Sequence, residues 1–269
     1  MWKKIAVAVA VVMLLAGVGF LLYPTVSNEI GKARANGEIE AFEKRGAQAV
    51  DSYAPSDADE PVKTRDEALE KGYIDDEGYP IDKNGSRTAG EPVVFTFDLD
   101  RLHADSRAYN RSILHHQGTV DTNDFSAAAL QMSRYGLSNF YAFVSAPAIG
   151  MRLPVYLGAN DAMMSYGAAH LCNTSLPLDE TDTNAVIAAH TGYIGRIFFD
   201  NIRNLEIGDE VSIANYWENI DYRVIETKTV PPTYTDDTLI QDGRQLLTLV
   251  TCITENGVTN RYLVICEAT

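Results

Sequence analysis

Short runs of β-branched and aromatic residues recur through the second half of the chain. They are FYAFVSAP from residue 140, LPVYLG from 153, AVIAAHT from 185 and DEVSIAN from 209, then DYRVIETKTV from 221, QLLTLVTCIT from 245 and NRYLVICEA from 260. Each is bounded by Gly, Pro, Asn or Asp, the punctuation expected between strands. This spacing predicts an all-β body, an antiparallel barrel or sandwich. One helix interrupts it around Gly195 to Asn204, where Ile197, Phe198 and Ile202 share a helical face.

The first half follows a different pattern. Ile5 to Tyr23 is an uncharged apolar run, preceded by Lys3 and Lys4 and followed by mostly acidic residues. Its length suits a membrane-spanning helix, and the flanking charge places the remainder of the chain outside the cell. A cleaved signal peptide is the alternative, but its apolar region is normally shorter and ends in a small-x-small site. No second apolar run of this length follows. Ser27 to Gln48 reads as a helix with a thin apolar stripe of Ile30, Ile39 and Phe42. Residues 51–92 are poor in large apolar side chains and rich in Asp, Glu, Gly and Pro, so they read as a spacer. Residues 105–117 read as a short helix, and Gly118 to Ser126 as a polar loop. The expected organisation is therefore a tip and anchor (1–27), an acidic stalk (28–104), a helix and loop (105–138) and a β domain (139–269).

Composition narrows the function. Asp and Glu number 37 against 22 Lys and Arg, a formal charge of −15 over 269 residues. That argues against nucleic-acid binding, which needs a basic footprint, and against a polybasic membrane-surface binder. Three cysteines are too few for a disulfide scaffold. Cys172 and Cys266 could pair in an exported protein, although two buried thiols are the simpler reading. His103, His115, His116 and His170 have no partners at metal-ligand spacing, so no metal or cofactor is expected.

Two residues at one strand end stand out. Cys252 closes TLVTC, and Arg261 lies nine residues on, past the turn-like TENGVTN. If the flanking runs form a hairpin, thiol and guanidinium meet at one end of the sheet. A nearby cation favours the reactive thiolate, and an arginine can donate to an oxyanion. A buried structural cysteine beside an edge-strand charge is the bland alternative. His190 ends AVIAAH at a strand-to-loop junction, a position that suits a general acid/base.

Together these residues resemble the sortases, the cysteine transpeptidases of Gram-positive cell surfaces. TLVTC is similar to the family's TLxTC motif, and Arg261 falls at its arginine position. AAHTGYIGRIFFDNI resembles the catalytic-histidine segment, and AHLCNTSLP another family stretch, all in family order over residues 140–267. The resemblance implies a closed eight-stranded barrel with short helices, and the roles of nucleophile for Cys252, acid/base for His190 and oxyanion donor for Arg261. It places Thr251 and Thr191 beside the substrate. It implies cleavage of an LPXTG-like sorting signal on exported proteins, through a thioacyl intermediate, and transfer to an amine. TENGVTNR and AYNRSIL are similar to the class C, or pilus, form, in which the amine is a pilin lysine. That class carries a lid loop, and TNDF at 122–125 makes Asp124 and Phe125 the lid candidates, without the proline of the family motif. A wall-anchoring sortase using a cell-wall peptide amine is the alternative enzyme. A surface adhesin with a structural Cys252 is the alternative outside enzymes.

Overall fold

The structure, a computed structural model, describes residues 50, 52–55, 60–93, 95–114, 126–137, 139–192 and 198–269. The expected anchor at 5–23, the helix at 27–48 and the lid candidates Asp124 and Phe125 lie outside these residues. Among the described residues no helix is long and apolar enough to cross a membrane.

Eight strands among these residues close into one barrel. They are β1 (Phe140–Ala146), β2 (Met151–Leu157), β3 (Ala168–His170), β4 (Thr183–Ala188), β5 (Glu210–Ala214), β6 (Asn219–Val230), β7 (Gln245–Glu255) and β8 (Val258–Ala268). Their order around the barrel is β1-β2-β3-β4-β7-β8-β6-β5. Of the barrel and the sandwich that the run spacing left open, the structure has the barrel, and it is not wholly antiparallel. β2 pairs with β3, and β4 with β7, in parallel. Parallel neighbours need a crossover between them. A one-turn helix, α3 (Asp161–Met164), lies in the first connection, and the β5–β6 hairpin lies in the second.

Period-two alternation gives the barrel two faces. Tyr141, Leu157, Ile187, Ile213, Leu249 and Val264 point inward and form the main core. On the outer face Val186, Val230, Val250 and Leu263, with Leu171, make a separate buried apolar stripe. This stripe runs along β4, β7, β8 and β6, and the candidate chemistry lies at its end.

The helix expected from residue 105 begins at Leu99, with the Asp98 carboxylate accepting from the Arg101 amide at 3.1 Å as its cap. This helix, α2 (Leu99–Ile113), presents Leu102, Ser106, Asn110 and Ile113 to the barrel. Asn110 donates to the Leu176 carbonyl at 3.0 Å and accepts from its amide at 2.8 Å. Ser106 accepts the Tyr141 hydroxyl at 3.0 Å.

The acidic stretch before it is more ordered than a spacer. A short helix, α1 (Arg65–Glu70), and two tight turns surround Val62, Ala68, Ile74 and Phe95. In each turn one aspartate does the closing: Asp75 accepts from the Glu77 and Tyr79 amides, and Asp82 from those of Asn84 and Ser86. The composition that suggested a solvated stalk is the same Asp/Gly chemistry that closes these turns. Around Gly195–Asn204 the described part is only a single 3₁₀ turn, Ile202–Asn204, after the buried Phe198 and Phe199.

His170, on β3, is wholly buried. Its Nε2 donates to the Ser175 carbonyl at 2.9 Å, while Nδ1 has no hydrogen-bond partner among the described residues. Burial pushes its pKa down from 6.5 to about 4. The folded state thus refuses a proton that the unfolded chain takes up, so this contribution is intact above pH 6.5 and is lost as the pH falls toward 4. Urea titrations at several pH values should show the native protein losing about 2–3 kcal/mol more than His170→Gln over that interval. Parallel losses in both proteins would show that His170 does not drive the acid sensitivity.

Candidate active site

β7 and β8 form a hairpin closed by Asn256 and Gly257, whose φ angles are +53° and +79°. A two-residue loop with both φ values positive matches strand twist, and Asn-Gly is the pair that adopts it at least cost. The turn fixes the register, which sets Cys252 opposite Arg261. Both side chains lie on the outer face, one row beyond the pair Val250 and Leu263. The Cys252 thiol is exposed, and Arg261 Nη1 donates to its Sγ at 2.9 Å. The sequence expectation for this pair is met in geometry.

His190 reaches the same row by another route. The parallel β4–β7 register ends at Ala188 opposite Val250, and the Ala189 amide extends it by donating to the Val250 carbonyl at 3.2 Å. Two residues on from each partner, His190 is level with Cys252. Its backbone carbonyl accepts from the Phe199 amide at 3.0 Å, and Phe199 is fully buried. Cysteine, arginine and histidine therefore come from three neighbouring strands at one end of the apolar stripe.

The two threonines serve as ties. Thr191 gives its hydroxyl to the Cys252 carbonyl at 2.7 Å. Thr251, expected beside the substrate, is 2% exposed and points inward, where its hydroxyl donates to the Ala189 carbonyl at 2.7 Å. Alternation on β7 requires this, because a residue adjacent to an outward cysteine faces the interior. Both bonds lock the histidine segment to the strand that carries the thiol.

Asp200 is a residue that motif reading missed. Its carboxylate accepts from the Gly192 amide at 2.7 Å and the Phe198 amide at 3.0 Å, joining the two ends of the segment after His190. A polar residue directly after the apolar pair Phe198-Phe199 was the available signal. Asn184 was missed as well: it sits in a strand run, yet it is fully buried and hydrogen-bonded.

Neither of the other cysteines is in a disulfide, so Cys172 and Cys266 are not paired with each other. Cys266 faces the main core, and burial pushes its pKa up to about 12. Among the described residues no cluster of His, Cys, Asp and Glu could hold a metal.

The described site is an exposed thiol held by a guanidinium, level with a histidine, at the end of the buried apolar stripe on the barrel's outer face. Such an arrangement can form and release a covalent acyl–sulfur bond. A family model described as a sortase domain matches residues 144–269. Sortase C-1 from Streptococcus pneumoniae is a similar solved structure, 30% identical, with a TM-score of 0.57 over 64% of this chain and 90% of that one. A pilus-related sortase C of Group B Streptococcus is 31% identical, with a TM-score of 0.54 over 64% and 89%. Sortase A from Corynebacterium diphtheriae is 26% identical, with a TM-score of 0.57 over 63% and 83%. No curated protein sequence matches the chain significantly.

The exposures predict an order of reactivity. A small alkylating reagent should modify Cys252 first in the folded protein, and Cys266 only after denaturant is added, as read by peptide mass spectrometry. Equal rates at the two thiols would contradict the burial of Cys266.

Proposed function

The chain belongs to the sortase family, and from that membership we propose that it is a pilus-type cysteine transpeptidase acting on exported proteins with an LPXTG-like sorting signal. The observation that carries this reading is the 2.9 Å contact between Arg261 and the exposed Cys252 thiol, with His190 level beside them. The similarity to two streptococcal sortase C structures supports the subclass.

In this mechanism the donor peptide lies along the apolar stripe with its scissile carbonyl over Cys252. The thiolate attacks the threonine carbonyl carbon. Negative charge gathers on the carbonyl oxygen, where the Arg261 guanidinium donates. The carbon–nitrogen bond breaks as His190 gives a proton to the leaving amine, and a thioacyl-enzyme remains. An acceptor amine, in this reading a pilin lysine, loses a proton to His190 and attacks the thioester. A new amide forms, the carbon–sulfur bond breaks and the thiolate returns. No cofactor enters the cycle. The Thr191 and Thr251 hydroxyl bonds keep histidine and cysteine in one frame while the acyl group is exchanged. The apolar run at 5–23 serves as a single-pass anchor that holds the barrel at the outer membrane face, and the loop carrying Asp124 and Phe125 serves as the lid.

Cleavage of a fluorogenic sorting peptide, and its transfer to an added amine, tests the reading. Cys252→Ala should abolish turnover while leaving the melting temperature unchanged. Arg261→Lys should lose roughly 10²–10³-fold in kcat, because a point charge does not replace a planar fork of donors. Wild-type turnover by the Cys252→Ala protein would refute the assignment.

A further inference from the structure

The first threonine of TLVTC has no part in the mechanism above, yet it is fully buried on the outer face. It lies beneath the connection between β6 and β7, residues 231–244, where its hydroxyl donates to Asn184 Oδ1 at 3.0 Å and lies 3.3 Å from the Asp237 carbonyl. Asn184, on β4, gives its amide hydrogens to the Asp237 carbonyl at 2.9 Å and the Leu239 carbonyl at 3.0 Å. The hydrogen-bonding groups of this buried amide are therefore engaged, and two of the three bonds reach the connection. A third strand joins in: Lys228 Nζ, on β6, lies 2.8 Å from the Asp237 carboxylate, whose hydrogen bond raises the lysine's pKa.

These contacts divide the connection into two parts. Pro231 to Tyr234 is exposed. Asp237 to Leu239 is half-buried and pinned to three strands. The pinned part lies over the opposite end of the apolar stripe from Cys252, because Asn184 and Thr248 precede Val186 and Val250 on the same outward rows.

We infer that Asn184, Thr248 and the Lys228–Asp237 ion pair form a polar clamp that sets the height of the β6–β7 connection over the apolar stripe, and so determines how tightly the apolar residues of the donor peptide are held. The inference rests on the transpeptidase reading for its substrate. The clamp residues are positioning residues: Thr248 lies two outward rows before Cys252, and Lys228 pairs with Leu263 one row before Arg261. Loss of one partner leaves buried polar groups unmatched, and the connection lifts to let water reach them. The donor then binds less tightly, while the geometry of Cys252, Arg261 and His190 is unaffected.

Asn184→Ala, Thr248→Val and Lys228→Met test this, each in the full-length protein. Two readouts apply: the rate of limited proteolysis within 231–244, and steady-state kinetics with the sorting peptide. The clamp predicts faster cleavage of the connection and a KM raised roughly tenfold, with kcat and the rate of Cys252 alkylation within about twofold of wild type. Should Asn184→Ala fail to fold, the isosteric Thr248→Val and the half-exposed Lys228→Met carry the measurement. An unchanged KM in a variant whose connection is cut faster would overturn the inference. So would parallel losses in kcat and alkylation rate, which mark general disruption. Wild-type protein that cleaves no sorting peptide would sink the transpeptidase reading alone, and the proteolysis arm would still decide whether the clamp holds the connection.

Discussion

The pairing of β7 with β8 governs the placement of everything else. A two-residue Asn-Gly turn admits only one register, and that register sets Cys252 opposite Arg261. A slip of one residue would turn the thiol inward and bring Thr251 outward, since side chains alternate across the sheet. The barrel interior resists such a slip, because Leu247 and Leu249 would leave the core together. The position of the reactive thiol is thus enforced by the burial of its neighbours rather than by contacts of its own.

The second constraint is the parallel β4–β7 pair. Parallel strands run in the same direction, so the ends of both lie at the same edge of the sheet. His190, just past the end of β4, therefore arrives level with Cys252 although 62 positions separate them in the chain. An antiparallel arrangement would have carried the end of β4 to the far edge. The β5–β6 hairpin between them in sequence is what allows β4 and β7 to be parallel neighbours.

Much of this was legible in the sequence, for identifiable reasons. Strand runs and turn residues are local signals, so the barrel body and the β7–β8 hairpin could be read directly. The parallel pairings could not, because strand direction within a sheet depends on crossovers and not on any local pattern. The acidic stretch before α2 misled the reading for a related reason. Its few apolar residues, Val62, Ala68, Ile74 and Phe95, converge only in three dimensions, and a composition average hides them. Asp200 escaped notice because its partners are backbone amides, which carry no side-chain signature, and Asn184 because two of its three side-chain bonds go to backbone carbonyls of a connection more than fifty residues away. The lid candidates and the anchor rest on sequence resemblance and apolar run length alone.

The alternation along TLVTC gives each position of the motif a physical meaning. Leu249 and Thr251 face inward: the leucine fills the core, and the threonine ties β7 to the residue before His190. Thr248, Val250 and Cys252 face outward, beneath the β6–β7 connection, along the apolar stripe and at the exposed end. One strand thus carries a polar anchor, an apolar floor and a reactive group on one face, and the supports for them on the other. A β-branched residue at 250 suits both strand and floor, so Val is replaceable by Ile. The threonine hydroxyls are not replaceable by methyl groups, since each satisfies a partner that has no access to solvent. Five consecutive residues therefore serve different neighbours, which explains why a motif so short can mark a site assembled from four strands.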